Sequence, residues 1–156
     1  MRQTTIARWR LEYDAEATSH CYAQLPIGSG CDCLDCRNFL AGSERFFPQE
    51  FRRYADDLGI DLAKPAELSH YGRDPSTALH IAGGWFHLVG CIVSGTDVVQ
   101  WFASTGTYHF EPLSPPFEFG FHSNAELIGL PFRPHGVIQL EFMTQVAWVL
   151  TEPESP

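Results

Sequence analysis

The segment from Ile138 to Leu150 constrains the fold most, because its side chains alternate between apolar and polar. The even-numbered positions are apolar except for Thr144; they are Ile138, Leu140, Phe142, Val146, Trp148 and Leu150. Among the odd-numbered positions, Gln139, Glu141 and Gln145 are polar. A period of two is typical of a β-strand and not of a helix. We therefore predict a strand with one face on the core.

The same alternation recurs in shorter segments, which Gly and Pro residues separate. We predict strands at 4–13, 67–71, 98–102, 105–110 and 117–121. The strands at 98–102 and 105–110 are expected to form a hairpin closed near Ala103 and Ser104. Most of these segments follow each other closely, which favours antiparallel pairing over parallel crossovers.

Gly83 and Gly84 indicate a further hairpin, because a glycine pair between two apolar runs is a common turn signal. Its strands would be Leu79–Ala82 and Trp85–Val93. In that register His80 lies directly across from His87, with Cβ atoms about 5 Å apart. The two imidazoles would then either bind one cation or pack among their neighbours.

Two short helices are predicted between the first strand and the later ones. Asp32 can cap a helix that begins around Cys33 and ends near Leu40 and Gly42. Pro48 suits the first position of a second helix, which Gly59 ends in a left-handed cap. The segment between Asp14 and Ser19 is expected to be a polar loop.

Together these elements predict an α+β fold: a mainly antiparallel sheet with an N-terminal cysteine-rich loop and two short helices packed on it. The length of 156 residues and the 44% hydrophobic content suit a single domain spanning 1–156.

The charge balance restricts the partners. The net charge of −9 repels phosphate backbones and anionic lipids, so we expect neither nucleic acid nor membrane as a partner. A basic protein surface is the complementary partner. Because Met1–Tyr13 lacks the apolar run of a signal peptide and no segment approaches a membrane span, we expect a cytoplasmic protein.

The chemistry is concentrated in Cys31, Cys33 and Cys36, which follow a Pro/Gly-rich turn. Three thiols at this spacing are soft ligands that can converge on zinc or another soft metal. A closed zinc site requires a fourth ligand. The candidates for it are Cys21, His20, His80 and His87.

Two other hypotheses explain the same cysteines. Cys33 and Cys36 form a Cys-x-x-Cys at a helix N-terminus, a redox arrangement, although Asp32 and Asp35 oppose thiolate formation. Alternatively, the three thiols only fill space, since cysteine is among the residues most often buried. Cys91, between apolar strand residues, is expected to be such a buried thiol.

Five segments of the chain resemble a group of small uncharacterised bacterial proteins. They are CDCLDCRNF at 31–39, FP at 47–48, LGID at 58–61, GGWFH at 83–87 and VAWVL at 146–150. The resemblance implies that the cysteine loop belongs to a shared architecture. That group has no assigned activity, so the resemblance transfers no role to individual residues.

No signature of hydrolytic or phosphate-binding machinery occurs, since the chain lacks Gly-x-Ser-x-Gly, a P-loop and His-Glu-x-x-His. The sequence therefore favours a non-catalytic protein with a structural soft-metal site. An acidic protein-interaction module, of the immunity or inhibitor type, and a thiol redox protein are the alternatives.

Overall fold

The computed structural model describes residues 1–154 and confirms an α+β fold with a mainly antiparallel sheet. The helices are α1 (Ala15–Ala23), α2 (Leu34–Phe46) and α3 (Gln49–Leu58), with a short 3-10 helix at Leu130–Phe132. The strands are β1 (Arg2–Ile6), β2 (Trp9–Tyr13), β3 (Glu67–Arg73), β4 (His80–Ser94), β5 (Val99–Phe102), β6 (Thr105–Tyr108), β7 (Glu111–Pro112), β8 (Glu118–His122) and β9 (Val137–Val146).

The main sheet is built around β4. Its order is β1-β2-β4-β9-β8-β7, with β3 paired to the first part of β4. β9 pairs with β4 from His80↔Val146 to Val89↔Val137, so the two longest strands form the centre of the sheet. β5 and β6 form a separate hairpin, which confirms the pairing predicted around Ala103 and Ser104.

An aromatic layer joins the helices to this sheet. Phe47 and Phe51, from the end of α2 and from α3, pack against Phe86 in β4, Phe142 in β9 and Phe117 just before β8, at ring separations between 4.7 and 6.3 Å. All five side chains are at most 3% exposed. Burial of this apolar area holds α2 and α3 on the sheet and so positions the cysteine loop that precedes α2.

The hairpin predicted at Gly83 and Gly84 is wrong, because β4 runs through both glycines without a turn. They are required by close approach: a Cβ on Gly84 would lie 2.2 Å from the carbonyl oxygen of Glu67 in β3. His80 and His87 consequently lie on one strand rather than across a hairpin. Their odd separation sends the two imidazoles to opposite faces of the sheet.

The N-terminal segment differs from its prediction in two ways. The strand expected at 4–13 is two strands, β1 and β2, because the chain reverses at Ala7, whose φ is 49°. The loop expected after Asp14 is helix α1, and the Asp14 side chain caps it by accepting a hydrogen bond from the Ala17 N–H at 2.9 Å. Neither feature has a strong sequence signal. The turn, for example, lacks the Gly and Asn residues that are typical of hairpins.

The two predicted helices are present with changed boundaries. α2 continues through Gly42 to Phe46, and its N-cap residue is Cys33 rather than Asp32. α3 ends as predicted at Gly59, whose φ is 77°, and the Ile60 N–H donates to the Ala55 carbonyl at 2.8 Å. Pro48 stands one position before the first helical residue.

The final strand is shorter than predicted. β9 ends at Val146, and the following backbone turns away from the sheet. The Trp148 indole N–H donates to the carbonyl of Glu152 at 2.7 Å, so this side chain belongs to the C-terminal segment and not to the strand.

Candidate metal centre

The thiols of Cys31, Cys33 and Cys36 come from a segment of six residues. Gly28 and Gly30, with φ of 90° and 83°, turn the backbone before Cys31. Cys33 is the N-cap of α2 and Cys36 lies in its first turn. The sulfur atoms of Cys31, Cys33 and Cys36 lie within 4.8 Å of one another, and none forms a disulfide.

The three thiols differ in environment. Cys31 and Cys33 are exposed, whereas Cys36 is buried beneath the loop. Hydrogen bonds from the Cys33 backbone and from the thiols of Cys33 and Cys36 lower the pKa of Cys31. Burial, followed by the hydrogen bonds to the neighbouring thiols, raises the pKa of Cys36 to about 12. Without a metal, the two shifts therefore make Cys31 easier to deprotonate than Cys36.

A second group of ligand atoms comes from three elements of the fold. Asp35 lies in the first turn of α2, His70 lies in β3 and His80 begins β4. One ligand atom from each of these residues lies within 4.8 Å of the others. The imidazoles of His70 and His80 are in contact: His70 Nε2 lies 2.8 Å from His80 Nδ1.

Both groups line one cavity of about 120 Å³. Its walls are the cysteine loop and the first turns of α2 on one side and β3 with the start of β4 on the other. Phe39, Leu68 and Ala82 supply apolar surface, and Glu67 adds a carboxylate. The cavity therefore combines soft sulfur ligands with imidazole and carboxylate ligands in a space of a few water molecules.

The structure does not bring Cys21, His20 or His87 to the three thiols. The Cys21 thiol is buried and donates to the carbonyl of Pro131 at 3.1 Å. His20 is exposed in the last turn of α1. His87 lies 2.8 Å from the Glu126 carbonyl through Nε2, and burial lowers its pKa. Of the four candidates for a fourth ligand, only His80 lines the cavity.

Sequence reasoning missed Asp35 and His70 as ligand candidates. β3 pairs with β4 so that His70 opposes Ala82. This register places His80 diagonally across from His70, a distance that ring side chains span. Identifying these ligands requires the prediction that β3 pairs with β4. The turn wrongly predicted at Gly83 and Gly84 excluded that pairing.

Two other expectations concern the burial of Cys91 and redox chemistry at Cys33 and Cys36. Cys91 is exposed and not buried, because it lies on the solvent side of β4 opposite Glu12. Redox chemistry at Cys33 and Cys36 stays a prediction: both thiols are free, Cys33 is exposed and Cys36 is buried.

No helix within residues 1–154 is long and apolar enough to cross a membrane. No protein-family model, curated protein or solved structure matches the chain significantly. The candidate centre therefore rests on the geometry of its own ligand atoms.

Proposed function

We propose that Cys31, Cys33 and Cys36 bind zinc, or another soft divalent metal, and that the ion fixes the cysteine loop to the start of α2. The observation that carries this proposal is the convergence of three sulfur atoms within 4.8 Å. Tetrahedral zinc with Zn–S bonds of about 2.3 Å separates its sulfur ligands by about 3.8 Å. The metal-free loop therefore needs only a small contraction to bind the ion.

The charge of the ion explains how such different thiols can act together. Zinc replaces the thiol protons, and its charge stabilises thiolates even where burial raises the pKa, as at Cys36. Asp32 and Asp35 lie beside these ligands in the chain and add attraction for a cation. Binding is expected to weaken at low pH, because protons and metal compete for the sulfur atoms.

The start of α2 would benefit from a metal. Its N-cap residue, Cys33, makes no side-chain hydrogen bond to the first helical N–H groups. Helices that lack such a cap are less stable by about 1 kcal/mol. A metal bound across Cys31, Cys33 and Cys36 would restrict the loop and the first helical turn directly. The proposed role of the ion is therefore structural, with the three thiolates as its protein ligands.

Elemental analysis of protein purified under reducing conditions tests the proposal. We expect about one equivalent of thiolate-bound zinc, lost together with thermal stability in Cys33→Ser and in Cys36→Ser. The matched control is Cys91→Ser, which removes an exposed thiol outside the group and should change neither. Unchanged metal content in both Cys33→Ser and Cys36→Ser would refute the thiolate site.

We propose a protein-interaction role as the second candidate, because the β5–β6 hairpin exposes aromatic side chains. Trp101, Phe102 and Tyr108 are 66%, 88% and 53% exposed. Aromatic side chains are enriched at recognition surfaces, so their exposure on one hairpin favours binding there. The net charge of −9 favours a basic protein as the partner.

The double variant Trp101→Ser/Phe102→Ser tests this second candidate. We expect it to lose a basic partner that the parent protein retains in affinity capture from its own cell extract, with unchanged folding by circular dichroism. Equal recovery of that partner by the variant would exclude the hairpin as the recognition surface.

A further inference from the structure

Three polar contacts link His70 and His80 to each other and to two carboxylates. Asp35 Oδ2 lies 3.6 Å from His70 Nδ1, and His70 Nε2 lies 2.8 Å from His80 Nδ1. At the far end, His80 Nε2 lies 3.3 Å from Glu154 Oε2. Of these three contacts, only the one between the two imidazoles is a hydrogen bond, because the first is too long and His80 Nε2 makes none. The two carboxylates therefore lie close to the imidazoles without hydrogen bonds to them.

Two polar atoms beside these contacts are buried without partners. His80 is 3% exposed, and its Nε2 makes no hydrogen bond within residues 1–154. Asp35 Oδ1 is also buried without a hydrogen-bond partner in this part of the chain. Unpaired buried polar atoms cost free energy, and both residues line one cavity, so a cation bound there would reduce this cost.

We propose that Asp35, His70 and His80 bind a second divalent cation, separate from the ion of the three thiols. Two imidazoles and a carboxylate are ligands that suit zinc, cobalt and nickel. Metal–ligand bonds of about 2.1 Å place two ligand atoms at most about 4.2 Å apart. The three ligand atoms already lie within 4.8 Å of one another, so contraction by less than about 1 Å completes the set.

The second site does not depend on the first for its ligands. Its imidazoles come from β3 and β4, whereas the thiols come from the cysteine loop and α2. Within residues 1–154, no imidazole nitrogen lies within 4.8 Å of all three sulfur atoms. The cavity therefore has the three thiols on one wall and the two imidazoles on the other, and Asp35 on the α2 side completes the second set of ligands.

Metal loading of the full chain tests the second site. Reduced apoprotein is loaded with Zn²⁺ or with Co²⁺ and desalted. We expect about two equivalents in the parent and about one in His70→Gln. His70 is preferred for substitution because its side chain is 27% exposed, so the variant should fold. His135→Gln, an exposed histidine outside the group, is the control and should keep about two equivalents.

Cobalt spectra separate this inference from the thiolate site. The sulfur-to-cobalt charge-transfer band should persist in His70→Gln and disappear in Cys33→Ser/Cys36→Ser, which should still bind about one equivalent. A parent with the same metal content as His70→Gln would refute the second site. About one equivalent in the parent, falling to none in His70→Gln, would show one mixed site and would also refute it.

Discussion

The buried amide of Asn38 in α2 accepts a hydrogen bond from the Val149 N–H through Oδ1, at 2.7 Å. Its Nδ2 donates to the carbonyl of Ala147 at 3.0 Å. Asn38 is 2% exposed, and both of these bonds go to the C-terminal segment. The cysteine-bearing helix is thus tied to the residues that follow the last strand.

Asn38→Ala should destabilise the protein, because it removes the hydrogen bonds of the Val149 N–H and the Ala147 carbonyl, which are only partly buried. The expected loss in free energy of unfolding is about 1–3 kcal/mol, measured by urea titration. Asn124→Ala, at an exposed position, should change stability by less than about 0.5 kcal/mol. Equal stability of the two variants would mean that the C-terminal segment is not held by this amide.

Gly84→Ala should separate β3 from β4. Its new Cβ would meet the Glu67 carbonyl at 2.2 Å, and backbone cannot yield as a flexible side chain does. We expect a loss of about 1–3 kcal/mol in thermal or urea unfolding. Gly129→Ala is the control, because its Cβ would have no neighbour closer than 3.7 Å. A parent-like Gly84→Ala would argue against the observed strand pairing.

Glu141 should make stability depend on pH in an identifiable direction. Burial raises the pKa of this carboxyl above its ordinary value of 4.5, although Gln139 donates to it at 2.7 Å. The native state therefore holds the proton more tightly than the unfolded state does. This contribution to stability is present below pH 4.5 and is lost as the pH rises through the raised pKa.

Glu141→Gln removes this titration and should become more stable relative to the parent as the pH rises above 4.5. Urea unfolding of both proteins at several pH values measures the difference. Glu44→Gln, an exposed carboxyl on α2, should show no such trend. A stability difference that is constant with pH would contradict the raised pKa.

Thiol alkylation should distinguish the cysteines. In reduced metal-free protein, iodoacetamide should modify exposed Cys91 rapidly and buried Cys36 slowly, because burial raises the pKa of Cys36 to about 12. Zinc should protect Cys31, Cys33 and Cys36 and leave Cys91 reactive. Peptide mass spectrometry measures each rate. Zinc protection that is equal at Cys91 and Cys33 would argue against specific binding.

The parts of the fold that could be predicted are those set by local patterns. The apolar face of α3 and its left-handed Gly59 cap are determined within a few residues, as is the turn of the β5–β6 hairpin. The alternation around Ile138 and Phe142 similarly identified β9. These features together were enough for the α+β class.

The errors arose where a distant strand decides the role of a residue. Gly83 and Gly84 have the composition of a turn, but β3 and β9 need their small size for close packing. The thiol group was visible because its members are neighbours in the chain. Asp35, His70 and His80 meet only through the β3–β4 register, which local periodicity does not specify.

The position of β9 between β4 and β8 has a consequence for synthesis on the ribosome. Within residues 1–154, the hairpin of β7 and β8 joins the main sheet only through β9, which is the last strand of this range to be made. Until residues 137–146 leave the exit tunnel, β8 has no partner on that side and one edge of β4 stays open. Nascent chains paused before this segment should therefore be good substrates for chaperones that recognise exposed strands.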